Sequence, residues 1–184
     1  MILVYLNLNY EKNDFTYVLF NRYANIDINS FSPNLFYMLY NIILLSPNFN
    51  LSELTHSQTA IENAIDNSPD EKSLENLKYL CKNLLQPLRD MLGKPIHVTS
   101  GYRCEELNRL VGGVPTSQHV KGEAADCYCT DGPEFLLQIL LDSGLEFDQA
   151  IVYKEKRFLH LSLKRGGGNR KISTNSRNRN QMNI

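Results

Sequence analysis

Apolar positions along this chain recur at two spacings. Leu74, Leu77, Cys81, Leu84, Leu85, Leu88 and Leu92 follow one another at mostly three- and four-residue intervals, one face of a helix. Ser68-Pro69-Asp70-Glu71 supplies its start, with Ser68 as N-cap, Pro69 in first position and Glu71 three after the cap. Pro87 is expected to bend this helix near its end, and Gly93 to stop it. Farther on, apolar and polar residues alternate instead. Ile96–Thr99, Ala124–Cys129, Asp148–Tyr153 and Phe158–Leu163 read as strands, the last two joined into a hairpin by the charged turn Lys154–Arg157. Short helices are expected at Glu105–Val111, before Gly112-Gly113, and at Glu134–Asp142, between Pro133 and Gly144. Helices first and an antiparallel sheet afterwards predict an α+β domain.

Residues 1–47 read differently. They are rich in Asn, Tyr, Phe and Leu and carry no motif, which suggests an N-terminal extension of unknown role. The apolar run Leu35–Leu45, between Pro33 and Pro47, is about half the length of a membrane span and reads as a buried helix or accessory segment. MILVYLNLNYEKND lacks a basic start and a small-residue cleavage site, so a protein made in the cytoplasm without a signal peptide is expected.

The chain has 184 residues, 42% of them apolar and 21% charged, which places it in the globular class with room for one ordinary core. Net charge is −1, so the total does not point to nucleic acid. The distribution is uneven, however: from Lys154 onward nine Lys and Arg face a single acid, Glu155. Residues 173–184 read as a polar basic tail, suited at most to an anionic surface. No aromatic platform interleaves with those charges, which argues against single-stranded nucleic acid. Cys81, Cys104, Cys127 and Cys129 fit no disulfide framework and are expected as thiols, Cys127 and Cys129 facing away from Asp126.

Candidate chemistry is concentrated in Ser117-Gln118-His119-Val120-Lys121-Gly122-Glu123-Ala124-Ala125-Asp126. An imidazole and a carboxylate are ordinary zinc ligands, and three protein ligands with a fourth position open mark a catalytic site. His160, between Leu159 and Leu161, points where Phe158 and Ser162 point and closes the set if that face lines the cleft beside Asp126. Taken alone, a histidine between leucines is more often a buried one with a structural partner than a ligand. His97, on its strand, reads as structural, and His56 has no partner in sequence.

From about Phe49 to Lys171 the chain resembles the D-alanyl-D-alanine carboxypeptidase-like zinc peptidases, whose fold is shared with the hedgehog signalling domain. Ser117, His119, Gly122, Ala124 and Asp126 match the family pattern S-x-H-x-x-G-x-A-x-D without a gap. Ser100-Gly101-Tyr102-Arg103 and Phe158-Leu159-His160-Leu161-Ser162 match two further motifs in order, and Leu51–Thr55 and Leu85–Arg89 look like the phage and bacterial subgroup. The resemblance implies a hedgehog/DD-peptidase-like α+β fold over residues 48–172, with helices packed on a small antiparallel sheet. It implies one zinc per chain on His119, Asp126 and His160. It implies that Arg103 binds the terminal carboxylate of the peptide and that Ser117 hydrogen-bonds near zinc or substrate; the plain alternatives are a helix-start arginine and a loop-capping serine. Gln149 matches a family position without a nameable task, and Asp148 reads as a turn residue.

One position departs from the pattern. Many members carry a Glu shortly before the last His ligand, and here that place falls on Lys154, a poor base. Glu155 is the nearest substitute for the general base and Glu123 a lesser one. The implied activity is hydrolysis of peptidoglycan stem peptides by a monomer acting on the cell wall, as carboxypeptidase or endopeptidase, in the manner of a phage endolysin. The competing expectation is a zinc-stabilised binding module without hydrolysis.

Overall fold

The strand that carries His160 lies in the middle of a five-stranded sheet, and the topology follows from that placement. The computed structural model describes residues 43–175 together with residues 19–21 and 24–26, and the chain divides into two units, Met1–Asn41 and Ile42–Ile184. In the first unit, strands β1 (Leu19–Asn21) and β2 (Ala24–Ile26) pair antiparallel. Most of the run Leu35–Leu45 lies outside the described residues. Its described end is not helical: Leu44–Ser46 is strand β3, paired with β4 (Phe49–Asn50) in a short hairpin.

Two single-turn-scale helices follow, α1 (Leu51–Thr55), capped by the Asn50 side chain, and α2 (Gln58–Glu62), capped by Ser57. The predicted long helix is present, but its cap is Asp70 rather than Ser68. The Asp70 carboxylate accepts from the Ser73 backbone N–H at 2.7 Å, and α3 (Glu71–Leu80) starts there. Asp is as good a cap as Ser, and extended backbone at Asp70 (φ −67°, ψ 171°) decides between them. The expected bend takes the form of a π turn over Cys81–Leu85, where the Gln86 N–H reaches back to the Cys81 carbonyl. Pro87 has no N–H and its ring crowds the preceding turn, so wider winding just ahead of it accommodates the ring. Helix α4 (Gln86–Leu92) continues to Gly93, whose φ of +68° ends it. Gln86 is buried and clasps the β3–β4 hairpin. Its Oε1 accepts from Ser46 Oγ and the Asn48 N–H, both at 3.0 Å, and its Nε2 donates to Asn48 Oδ1 at 2.9 Å.

The main sheet comprises β5 (His97–Ser100), β6 (Ala124–Tyr128), β7 (Gln149–Tyr153), β8 (Phe158–Ser162) and β9 (Lys171–Thr174), in the order β5-β6-β8-β7-β9. Four strands pair antiparallel, as expected. Strand β9 joins β7 in parallel, so the sheet is mixed rather than antiparallel, and it runs past residue 172 into the segment expected as tail. Every residue of β9 is exposed, so no buried stripe marks it in the sequence. Helices α5 (Glu105–Leu110) and α6 (Pro133–Ser143) complete the domain, and α6 packs on β6, β7 and β8.

Alternation divides the sheet. Ala125, Cys127, Ala150, Val152, Leu159 and Leu161 are buried on one face with Leu136 and Leu140 of α6. Burial pushes the Cys81 and Cys127 thiols up, and all four cysteines are free, as expected. The other face carries Asp126 and His160.

Candidate metal centre

Three side chains from separate elements converge above β6 and β8. Ser117 caps a 3₁₀ turn, Gln118–Lys121, its hydroxyl oxygen accepting from the His119 N–H at 3.3 Å. Gly122 (φ +69°) then turns the chain into β6. Only glycine fits, because a Cβ would also collide with the Ser73 carbonyl of α3. His119 is therefore held between α3 and the sheet and is 4% exposed. Asp126 stands opposite His160 in the β6–β8 register, which puts their side chains on one face.

The Nδ1 of His119 lies 2.7 Å from the Gly101 carbonyl oxygen, which can only accept, so Nδ1 carries a proton and Nε2 is the atom that faces the other two groups. His119 Nε2 is 3.2 Å from His160 Nδ1 and 3.4 Å from Asp126 Oδ1, and His160 Nδ1 is 2.8 Å from the same oxygen. Burial pushes the Asp126 carboxyl up, but the two imidazoles beside it outweigh burial and hold it well below the usual carboxylate range. Two nitrogens and an ionised oxygen in a triangle of these edges fit a divalent cation. Tetrahedral zinc with ligand bonds of roughly 2.0 Å sets neighbouring donors about 3.3 Å apart. Among the described residues, His119, Asp126 and His160 form the one such group of three, their ligand atoms all within 4.8 Å.

Arg103 approaches Asp126 from behind. Its Nη2 donates to Asp126 Oδ2 at 3.1 Å and its Nε to Ser100 Oγ at 3.0 Å, while its backbone N–H bonds the His119 carbonyl at 3.2 Å. The arginine thus fixes the oxygen that the imidazoles leave over. The Ser100-Gly101-Tyr102-Arg103 turn is locked in the same way as Gly122: a Cβ on Gly101 would strike the Leu54 carbonyl, which accepts from the Tyr102 N–H at 2.7 Å. Sequence reading did not reach these contacts: the Gly101 carbonyl behind His119, the Arg103–Asp126 pair, and Thr99 Oγ1 donating to the Asp126 carbonyl at 3.1 Å. Their one sequence signal was that the two motifs occur in the same chain.

The remaining candidates lie farther out. Strand β7 ends at Tyr153, so Lys154 is off the sheet face; it is exposed, 3.6 Å from Glu134. Glu155 is exposed in the turn Lys154–Arg157, beyond the last rung, Tyr153–Phe158. That rung lies two residues, about 7 Å along the strand, from the rung of His160. Tyr153, not Lys154, occupies the face of His160. Glu123 is half-buried, with its carboxylate 3.5 Å from Gln118 Nε2. Gln149 donates to Gln118 Oε1 at 3.3 Å, beside the His119 turn. Asp148 is a turn residue, as expected: its buried carboxylate accepts from the N–H groups of Lys164 (2.8 Å) and Gly168 (2.9 Å) and from Gln118 Nε2 (3.0 Å). His97 is exposed on β5, and His56 is exposed just after α1.

The profile of the peptidase M15 family, described as Peptidase M15, matches residues 47–162. That span holds all three converging side chains, Arg103 and Ser117. The chain belongs to the peptidase M15 family. A search of curated proteins returns no match. The α+β architecture with its five-stranded sheet is compatible with a peptidase M15 fold, and the family is one of zinc peptidases. Strand β9 and residues 1–46 lie outside the matched span. No described helix is long and apolar enough to cross a membrane.

Proposed function

We propose that this peptidase M15 protein is a zinc-dependent hydrolase of peptide bonds in peptidoglycan stem peptides, acting as a carboxypeptidase or an endopeptidase in the manner of a phage endolysin. The observation that carries the reading is the convergence of His119 Nε2, His160 Nδ1 and Asp126 Oδ1 within one triangle, inside the span of the family match. These three residues hold the metal in this reading. Zinc bound there would acidify a bound water and polarise the scissile carbonyl.

The chain's own groups divide the rest of the work. Gly101 keeps the His119 proton on Nδ1, and Arg103 keeps Asp126 turned with Oδ1 toward the imidazoles. With Nε and Nη2 engaged, Arg103 offers its remaining N–H groups to the terminal carboxylate of the peptide. Ser117 sets the His119 backbone by capping its turn and borders the substrate. Glu155, at the tip of the β7–β8 hairpin, takes the proton of the attacking water and passes it to the leaving amine. We assign the protein to the cell wall as its place of action and to a monomer as its working form.

One observation favours a second reading. Asp126 is the only carboxylate on the described β6, β7 and β8 positions of the His160 face, and Glu155 lies outside the strands. A zinc-stabilised wall- or protein-binding module without hydrolysis would need no base. Amine release from purified peptidoglycan decides between them, measured for the zinc-loaded parent, His119→Ala and Glu155→Gln. Release lost in both variants is the expected result. Release lost only in His119→Ala moves the base elsewhere, and no release by the parent from several wall types gives the binding module the lead.

A further inference from the structure

One rung pair away from Asp126 and His160, the same face of the sheet carries a row of four rings. His97 pairs with Tyr128 across β5 and β6, and Tyr153 with Phe158 across β7 and β8. The register that sets Asp126 opposite His160 places Tyr128 opposite Phe158 when carried two residues further. Residues two apart on a strand share a face, so all four rings stand on the side of the metal ligands. They form two stacked pairs, with centroids 4.9 Å apart for His97 and Tyr128 and 4.6 Å for Tyr153 and Phe158, each pair with its planes 23° apart. The row crosses four strands and is therefore about 14 Å long, three inter-strand spacings.

These rings are not core. His97 is exposed, Tyr128 is 40% exposed, and Tyr153 and Phe158 are half-buried. Neither the Tyr128 nor the Tyr153 hydroxyl bonds another described residue. Together the four offer an apolar surface with polar tips, continuous with the candidate metal centre about 7 Å away.

The geometry points to this row as the seat of the saccharide that carries the peptide substrate, a deepening that rests on the peptidoglycan reading above. A peptide is a poor occupant. Added as a strand it would run along the sheet edge, whereas the row runs across the strands. Laid across β6, β8 and β7, it would find their backbone groups already paired and gain no main-chain hydrogen bond from the sheet. A pyranose ring needs no such partners. It packs its C–H face on the rings and directs its hydroxyls to water, to the phenols and to the His97 imidazole. Bound there, the sugar holds the attached peptide beside His119, Asp126 and His160.

The test is calorimetric titration of the full-length protein with an N-acetylglucosamine tetrasaccharide that bears no peptide. Saturable binding is expected, weakened about tenfold by Tyr128→Ser combined with His97→Ser, the sum of two ring contacts of aromatic-pair strength. Tyr128→Phe, which keeps the ring, is expected to retain most of the affinity. Tyr128→Ser alone serves if the double variant does not melt like the parent. Absence of saturable binding to the parent, or equal affinity in the ring-deleted variant, overturns the assignment. So does a dimer in analytical ultracentrifugation that the same substitutions split, since a second copy would then be the occupant. Amine release from peptidoglycan, run in parallel, separates the two proposals. Hydrolysis without saccharide binding removes the row and leaves the peptidase, while saccharide binding without hydrolysis leaves the row and removes the peptidase.

Discussion

On β8, Leu159 and Leu161 are fully buried against the helices, while Phe158 and His160, which alternate with them, remain partly open to solvent. On β6, Ala125 and Cys127 are fully buried on one face, while on the other Tyr128 is 40% exposed and Asp126 keeps 8%. Neighbouring residues on one strand thus answer to different demands. The helix-side face gains stability from every methylene it buries. The open face gathers groups that stabilise little by themselves: two imidazoles, a carboxylate and four rings. Stability and chemistry are separated here by a single residue of sequence.

Adjacent substitutions are the sharpest way to break that comparison. His160→Ala is expected to bring amine release to background and abolish zinc uptake while leaving the melting temperature of the metal-free protein near that of the parent. Leu161→Ala is expected to cost about 2–5 kcal/mol of stability and leave zinc stoichiometry unchanged in the folded fraction. Equal destabilisation by the two, in urea unfolding of the metal-free proteins, would mean that the faces are not separable.

A smaller effect is expected behind the ligands. Arg103→Lys loses the fork that holds Asp126 Oδ2 and Ser100 Oγ together, and zinc affinity should fall about 10- to 100-fold, read by competition with a chromophoric chelator. Unchanged affinity would return Arg103 to a role toward substrate alone.

The smallest effect sits at the sheet's edge. Burial raises the Asp148 carboxyl, but the N–H groups of Gly168 and Lys164 outweigh it and hold the group below its ordinary value. The native state therefore binds this proton less readily than the unfolded chain. The stability it contributes is full above the unfolded value and is lost as pH falls through the native one, from about pH 4 downward. Asp148→Asn should be less stable than the parent at pH 6, with the gap closing toward pH 2 in urea unfolding. A gap that does not change with pH would show that Asp148 acts by shape rather than charge.

What the sequence disclosed follows the range of each interaction. Periodicity located α3 with α4, α6 and four strands to within a residue or two, most clearly where alternate residues are buried, as in β7 and β8. Local chemistry misled at the cap: Ser68 and Asp70 are both good caps, and only the backbone angle separates them. Strand β9 was illegible because all four of its residues are exposed and its partner, β7, lies some twenty residues earlier. At the hairpin the strand ends at Tyr153, as read from the sequence, and Lys154, where the family pattern has a Glu, is exposed in the turn. The three converging side chains were legible through their motif, whereas the Arg103–Asp126 pair spans 23 residues and leaves no periodic trace.

The π turn at Cys81–Leu85 is best understood as an angle setting. Taking one residue out of it would restore ordinary winding, yet it would rotate α4 by about 100° against α3. Before the turn, the helix is keyed to the His119 loop: Asn76 donates to the Lys121 carbonyl at 2.9 Å, and Ser73 lies against Gly122. After the turn it is keyed to the hairpin through Gln86. Both keys fit at once only with the surplus residue in place. A relative with one residue fewer between Leu80 and Pro87 should therefore present a different side chain to the hairpin, and the missing residue would register as a change of direction rather than of length.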